Sequence, residues 1–146
     1  MGGNAIKKNG KSICGRLNKI DYEKIKSHVI QLLAQNHIYC EVVMEVPGKE
    51  SFGDMDIMYI PTNTICDMKK FLMDKLNISE VKHVVTNGYV MSCAFDCAPF
   101  GIEQYFQLDF LNMGTYEHIE MGRFYFSYGD IGSILGRICN YWGLKF

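Results

Sequence analysis

Apolar residues fall at regular intervals along much of the chain, and the intervals differ from segment to segment. Ile25, Val29, Leu32 and Leu33 stand at i, i+4, i+7 and i+8, one stripe of a helix, with Asp21 placed as its N-cap. Residues 39–46 are β-rich and predict a strand. Pro47-Gly48 opens a turn that runs to Gly53, and residues 54–60 predict a second strand, so 39–60 reads as a hairpin-like unit with a long loop. Thr64 and Asp67 resemble a capping box, followed by the helical stripe Ile65, Met68, Leu72 and Leu76. Residues 80–86 and 89–96 predict two strands joined by Asn87-Gly88, a strong hairpin signal, and 104–111 predict a third. Residues 115–126 and 129–142 predict two closing helices. The order α-β-β-α-β-β-β-α-α implies an α+β domain: an antiparallel or mixed sheet with helices on one face. Residues 1–18, with glycines at 2, 3 and 10 and a run of Lys7, Lys8, Lys11 and Arg16, read as a flexible basic arm.

Composition narrows the class. The 146 residues suit one domain, and 48% hydrophobic with 21% charged residues exclude a mostly disordered chain. No apolar run approaches the 18 or so residues of a membrane helix, so no membrane partner is expected. Fifteen Lys+Arg against sixteen Asp+Glu give a net charge of −1. Strong autonomous duplex binding relies on phosphate neutralisation and is disfavoured by that balance. The six cysteines, with no apolar leader after Met-Gly-Gly-Asn, read as reduced and mostly buried thiols of an intracellular protein: cytoplasmic, nuclear, or of a viral factory or virion. Cys93 and Cys97 lack the second pair of a zinc finger. Gly10-Lys11-Ser12 imitates the end of a P-loop, but its upstream glycine would fall at Ala5.

The chemistry concentrates in carboxylates. Asp54 and Asp56 are two apart in a predicted strand, so alternation puts both on one face while Met55 and Ile57 face the core. Asp109 lies in another apolar strand, Gln107-Leu108-Asp109-Phe110. Three carboxylates on adjacent strands could hold two divalent ions, for which hard oxygen ligands suit Mg²⁺. Without metal they repel one another, which should raise at least one pKa. Asp-X-Asp after a glycine is also ordinary turn chemistry.

The full string Gly48-Lys49-Glu50-Ser51-Phe52-Gly53-Asp54-Met55-Asp56-Ile57 resembles the palm of the family X DNA polymerases, the group of DNA polymerase beta. Phe106-Gln107-Leu108-Asp109-Phe110 resembles the strand with that family's third aspartate. Phe124-Tyr125-Phe126-Ser127-Tyr128-Gly129-Asp130-Ile131 resembles its thumb-opening segment. The resemblance implies a nucleotidyltransferase palm over 19–114 and a partial thumb-like helical segment over 115–146. It implies two Mg²⁺ or Mn²⁺ ions on Asp54, Asp56 and Asp109, which would be the catalytic residues. Ser51, Gly53, Tyr125, Phe126 and Asp130 would bind the nucleoside triphosphate, and Arg137 would touch DNA. The implied activity is transfer of a nucleotide to a primer 3′-hydroxyl in DNA repair or replication. The chain departs from the family pattern at several positions, and only part of a thumb is expected. Val43-Met44-Glu45-Val46-Pro47 stands where the family has its Gly-Ser and basic pair, Tyr128 replaces a glycine and Ser133 an asparagine. A partner protein chain could supply the missing cations. The alternative is a catalytically degenerate domain serving as a structural or protein-interaction module.

Overall fold

The computed structural model describes residues 3–78, 80–128 and 131–145, and of Val81 the backbone only. Strands β1 (Lys7–Lys8), β2 (Lys11–Ser12) and β3 (Leu17–Asn18) precede helix α1 (Lys19–Gln35). Then come β4 (Cys40–Val42), β5 (Ser51–Phe52), β6 (Asp54–Tyr59), α2 (Met68–Lys75), β7 (Val84–Asn87), β8 (Val90–Asp96) and β9 (Tyr105–Asn112), closed by α3 (Tyr116–Ser127) and α4 (Ile131–Tyr141). The predicted succession of major elements is present and the class is α+β.

The main sheet runs β4-β6-β9-β8-β7. All its neighbours are antiparallel except the central pair β6 and β9, which run parallel. That mixed pairing follows from connectivity: α2, β7 and β8 all intervene between β6 and β9, a return long enough for a parallel crossover. Alternation divides β6 cleanly. Met55, Ile57 and Tyr59 join Phe106, Leu108 and Phe110 of β9 and Cys93 and Phe95 of β8 in the main core, which Tyr22, Ile25, Val29 and Leu33 of α1 and Leu72 of α2 cover. Each such side chain contributes on the order of 1.5–3 kcal/mol by burial.

The helices do not all share that face. Met58 and Leu111 point to the other side, where Ile119 of α3 covers them in a second, smaller cluster that includes half-buried Phe126. The prediction of helices on one face is corrected accordingly. Alternation puts Met58 and Leu111 opposite the main core, and apolar residues there need a cover of their own.

Local signals shifted by a few residues. Asn18, rather than Asp21, caps α1, its Oδ1 accepting from the Asp21 N–H at 2.9 Å. Asp67 alone caps α2 through the Lys70 N–H. In the β7–β8 hairpin the loop is Gly88-Tyr89, with Asn87 still paired to Val90 and Gly88 at φ +58°.

The basic arm is folded where it is described. Asn9 and Gly10, at φ +53° and +79°, make the tight turn of a β1–β2 hairpin, both central residues being left-handed as such turns require. Ile6 is 1% exposed, and the Gly15 N–H donates to the Tyr105 carbonyl at 2.8 Å. A buried isoleucine and strand contacts give this segment enough to offset its ordering entropy.

Candidate functional site

Asp54, Asp56 and Asp109 share the face of the sheet that α1 and α2 leave open. β6 and β9 are in register with Asp56 opposite Asp109 and Asp54 opposite Gln107. Neighbouring strands lie about 4.8 Å apart, so the Asp56 and Asp109 carboxylates are side-by-side neighbours. On β8, Ser92 stands opposite Asp109 and interacts with its carboxylate. Asp109 is 7% exposed, whereas Asp54 and Asp56 are half-buried.

Each acid is treated differently. The Gly3 N–H donates to Asp54 Oδ2 at 3.1 Å. Gln107 Nε2 donates to both oxygens of Asp109, at 3.0 and 2.8 Å. Burial, which costs the charged form, raises the Asp109 pKa, and Ser92 and Gln107 offset part of that rise. Asp56 is pushed up to about 7, first by burial and then by the charges of Asp109, Asp54 and Glu45, with Lys49 opposing. Both members of the pair are raised as expected, and Asp56 has more acids against it.

Loop 43–50 brings Glu45 into this neighbourhood. The Val43 N–H continues the β4 pairing onto the Asp56 carbonyl at 2.9 Å, which carries the following residues past the site. Glu45 pairs with Lys49 and accepts from the Tyr22 hydroxyl at 3.2 Å. Lys49 also lies 5.1 Å from the centre of the Phe52 ring. Ser51 is exposed on β5, and Arg16 grips it, donating to Oγ at 2.8 Å and to the carbonyl at 2.7 Å. Gly53 is buried with its carbonyl against Gly3.

The remaining sequence-predicted residues lie further along. Tyr125 and Phe126 sit inside α3 rather than at a helix-opening turn. Phe126 packs with Met58 at the far end of the carboxylate face, while Tyr125 lies against Gly132 of α4 and lines a cleft of about 910 Å³ with Tyr89, Met113 and Met121. Ser127 ties this end of α3 to the loop, its Oγ accepting from the Met44 N–H at 3.3 Å. Arg137 is exposed on α4. Asp130 lies outside the described residues.

Sequence reasoning passed over Gly3, Gln107, Ser92 and Arg16. Two signals were available. Asn9-Gly10 is the same kind of dipeptide used to find the second hairpin, and Gln107 is two before Asp109, hence on its face.

The donor set suits a hard divalent cation: oxygen ligands only, paired acids, and one carboxyl raised by burial and by its acidic neighbours. Among the described residues no three His, Cys, Asp or Glu side chains form a ready-made cage. Mg²⁺ does not require one, since it is usually held by one or two carboxylates, waters and substrate phosphates. Among the described residues no helix is long and apolar enough to cross a membrane. No family model matches this chain, and no curated protein matches it in sequence.

Proposed function

We propose that the protein is a metal-dependent nucleotidyltransferase of DNA polymerase type, built on a palm-like sheet. The observation that carries the reading is the register: Asp56 beside Asp109 on parallel neighbours, with Asp54 on the same face. Asp54, Asp56 and Asp109 would hold two Mg²⁺ or Mn²⁺ ions. Such ions supply Lewis-acid stabilisation of the attacking and leaving oxygens in phosphoryl transfer. The chain's own residues supply the rest. Gln107 and Ser92 hold the Asp109 carboxylate, and Lys49 and Arg16 bring positive charge to the residues of β5. Ser51, Gly53, Tyr125, Phe126 and Asp130 as nucleotide contacts, and Arg137 as a DNA contact, belong to this proposal.

One observation favours a second reading, a degenerate domain retained as a structural or interaction module. Glu45 sits where an incoming triphosphate would want cations, and its charge already raises Asp56. Calorimetry with Mn²⁺ and a nucleoside triphosphate, followed by primer extension, separates the two. Metal-dependent nucleotide binding and extension abolished by Asp109→Asn are expected for the enzyme. A chain that binds neither metal nor nucleotide at millimolar concentration is the module.

A further inference from the structure

We propose that the backbone amides of Gly3 and Ala5, together with the Gln107 side chain, form an orienting clamp that sets the carboxylates of Asp54 and Asp109 for cation binding. This rests on the reading of those aspartates as cation ligands. The contacts form a chain. The Gly3 N–H holds Asp54 Oδ2 at 3.1 Å. The Ala5 N–H donates to Gln107 Oε1 at 2.8 Å. That contact decides which end of the Gln107 amide faces Asp109, and its Nε2 then donates to both carboxylate oxygens at 3.0 and 2.8 Å. Neutral donors orient a carboxylate without cancelling its charge, which a lysine in their place would do.

The segment is built into the molecule rather than laid over it. The Ser12 hydroxyl donates to the Gly3 carbonyl at 2.6 Å, and the Gln104 amide donates to the Arg16 carbonyl at 2.9 Å. Position 3 admits only glycine. Its φ is +84°, and a Cβ there would stand 2.5 Å from the Gly53 carbonyl oxygen, the residue just before Asp54. The close approach that excludes a side chain is the one that brings the Gly3 N–H onto the carboxylate. Gly3 and Gln107 are thus positioning residues acting through the aspartates. Partners of this kind typically change metal affinity about 10–100-fold when removed.

The test is a Mn²⁺ titration of the full chain, read as free Mn²⁺ by electron paramagnetic resonance, with Tm recorded in parallel. The unsubstituted protein should bind Mn²⁺. Gly3→Ala and Gln107→Met should each weaken it by about 10-fold or more while the main sheet stays folded. Gln107→Met keeps the unbranched chain length and leaves position 3 alone, so it decides the matter if Gly3→Ala folds poorly. Equal affinity in both variants sinks the clamp and leaves the cation site standing. Tighter binding shows that the segment obstructs the site. Unfolding of Gln107→Met shows a framework residue instead. No Mn²⁺ binding by the unsubstituted chain overturns the cation-site reading and the clamp together.

Discussion

Asp56 and Asp109 stand opposite each other and both are raised, with more acids set against Asp56. Asp109 has Ser92 and two contacts from Gln107, whereas Asp56 faces Asp109, Asp54 and Glu45 with Lys49 as its opposing cation. Its folded-state pKa of about 7 lies above the roughly 3.9 of an unfolded aspartate. The folded state therefore binds the extra proton between those values. The contribution to stability is complete below about pH 3.9 and is lost as pH rises through about 7, by up to about 1.4 kcal/mol per pH unit. Asp56→Asn should remove that slope and make the protein more resistant to urea than its parent at pH 8. Parallel parent and variant curves between pH 4.5 and 8 would show that Asp56 does not titrate there. Asp109→Asn also removes a buried charge and keeps an acceptor for the Gln107 amide, so the fold should stay intact or become slightly more stable, while any primer extension disappears.

Helix α1 begins at Lys19 because Asn18 satisfies an N–H that the first turn leaves open, and the neighbouring β3–β5 pairing holds the same residue in place. Asn18→Ala should cost about 0.5–2 kcal/mol in urea unfolding, with α1 otherwise intact by circular dichroism. A loss below about 0.3 kcal/mol would show that β3 positions the helix without the cap. Asp21 looked like the cap because it precedes the apolar stripe, but two helical residues, Lys19 and Ile20, already lie before it. Tyr22, stacked on Phe52 with centroids 4.1 Å apart, begins the stripe one turn early. The hairpin shift has a similar origin. Asn87-Gly88 locates the turn, but the loop position needing φ +58° falls to Gly88, and Asn87 keeps its ladder partner Val90. On the opposite edge, the Arg123 fork on Glu41, with contacts at 2.6 to 3.0 Å, ties α3 to β4. Spacing within one segment carries no trace of such a contact, 82 residues apart.

At the scale of the whole molecule, the proposed nucleotidyltransferase would meet its triphosphate beside loop 43–50, where acid outweighs base. Glu45 lies beside Asp56, Lys49 is engaged by Glu45, and Pro47 has no N–H to offer. Losing two or three charge-assisted hydrogen bonds, each worth about 1.5–3 kcal/mol, weakens affinity by a few orders of magnitude. Nucleotide affinity of the unsubstituted chain should therefore be high micromolar or weaker in Mg²⁺. Val43→Gly, Met44→Ser and Pro47→Arg combined should strengthen it in calorimetry. Low-micromolar binding by the unsubstituted chain would instead assign the phosphates to Arg16 and the lysines of the β1–β2 hairpin.

Strand alternation by itself determined that Asp54 and Asp56 share a face, that Met55 and Ile57 turn to the core, and that nine major elements follow one another in the observed order. Those are local consequences of a period of two or of 3.6, and they need no partner. The pairing of Asp56 with Asp109 was legible only as a resemblance, because register between strands 53 residues apart is set when the faces pack. Three outcomes were decided by tertiary structure alone. Glycines at the start of the chain read as freedom, yet Gly3 is where the backbone presses on Gly53. Met58 and Leu111 sit on the face away from the main core, and they seat α3 on the carboxylate face. Gln107, to which the sequence assigned no role, lies between Ala5 and Asp109. In each, the residue type permits the role, and what assigns it is a neighbour distant in sequence, brought close when the two faces of the sheet were covered.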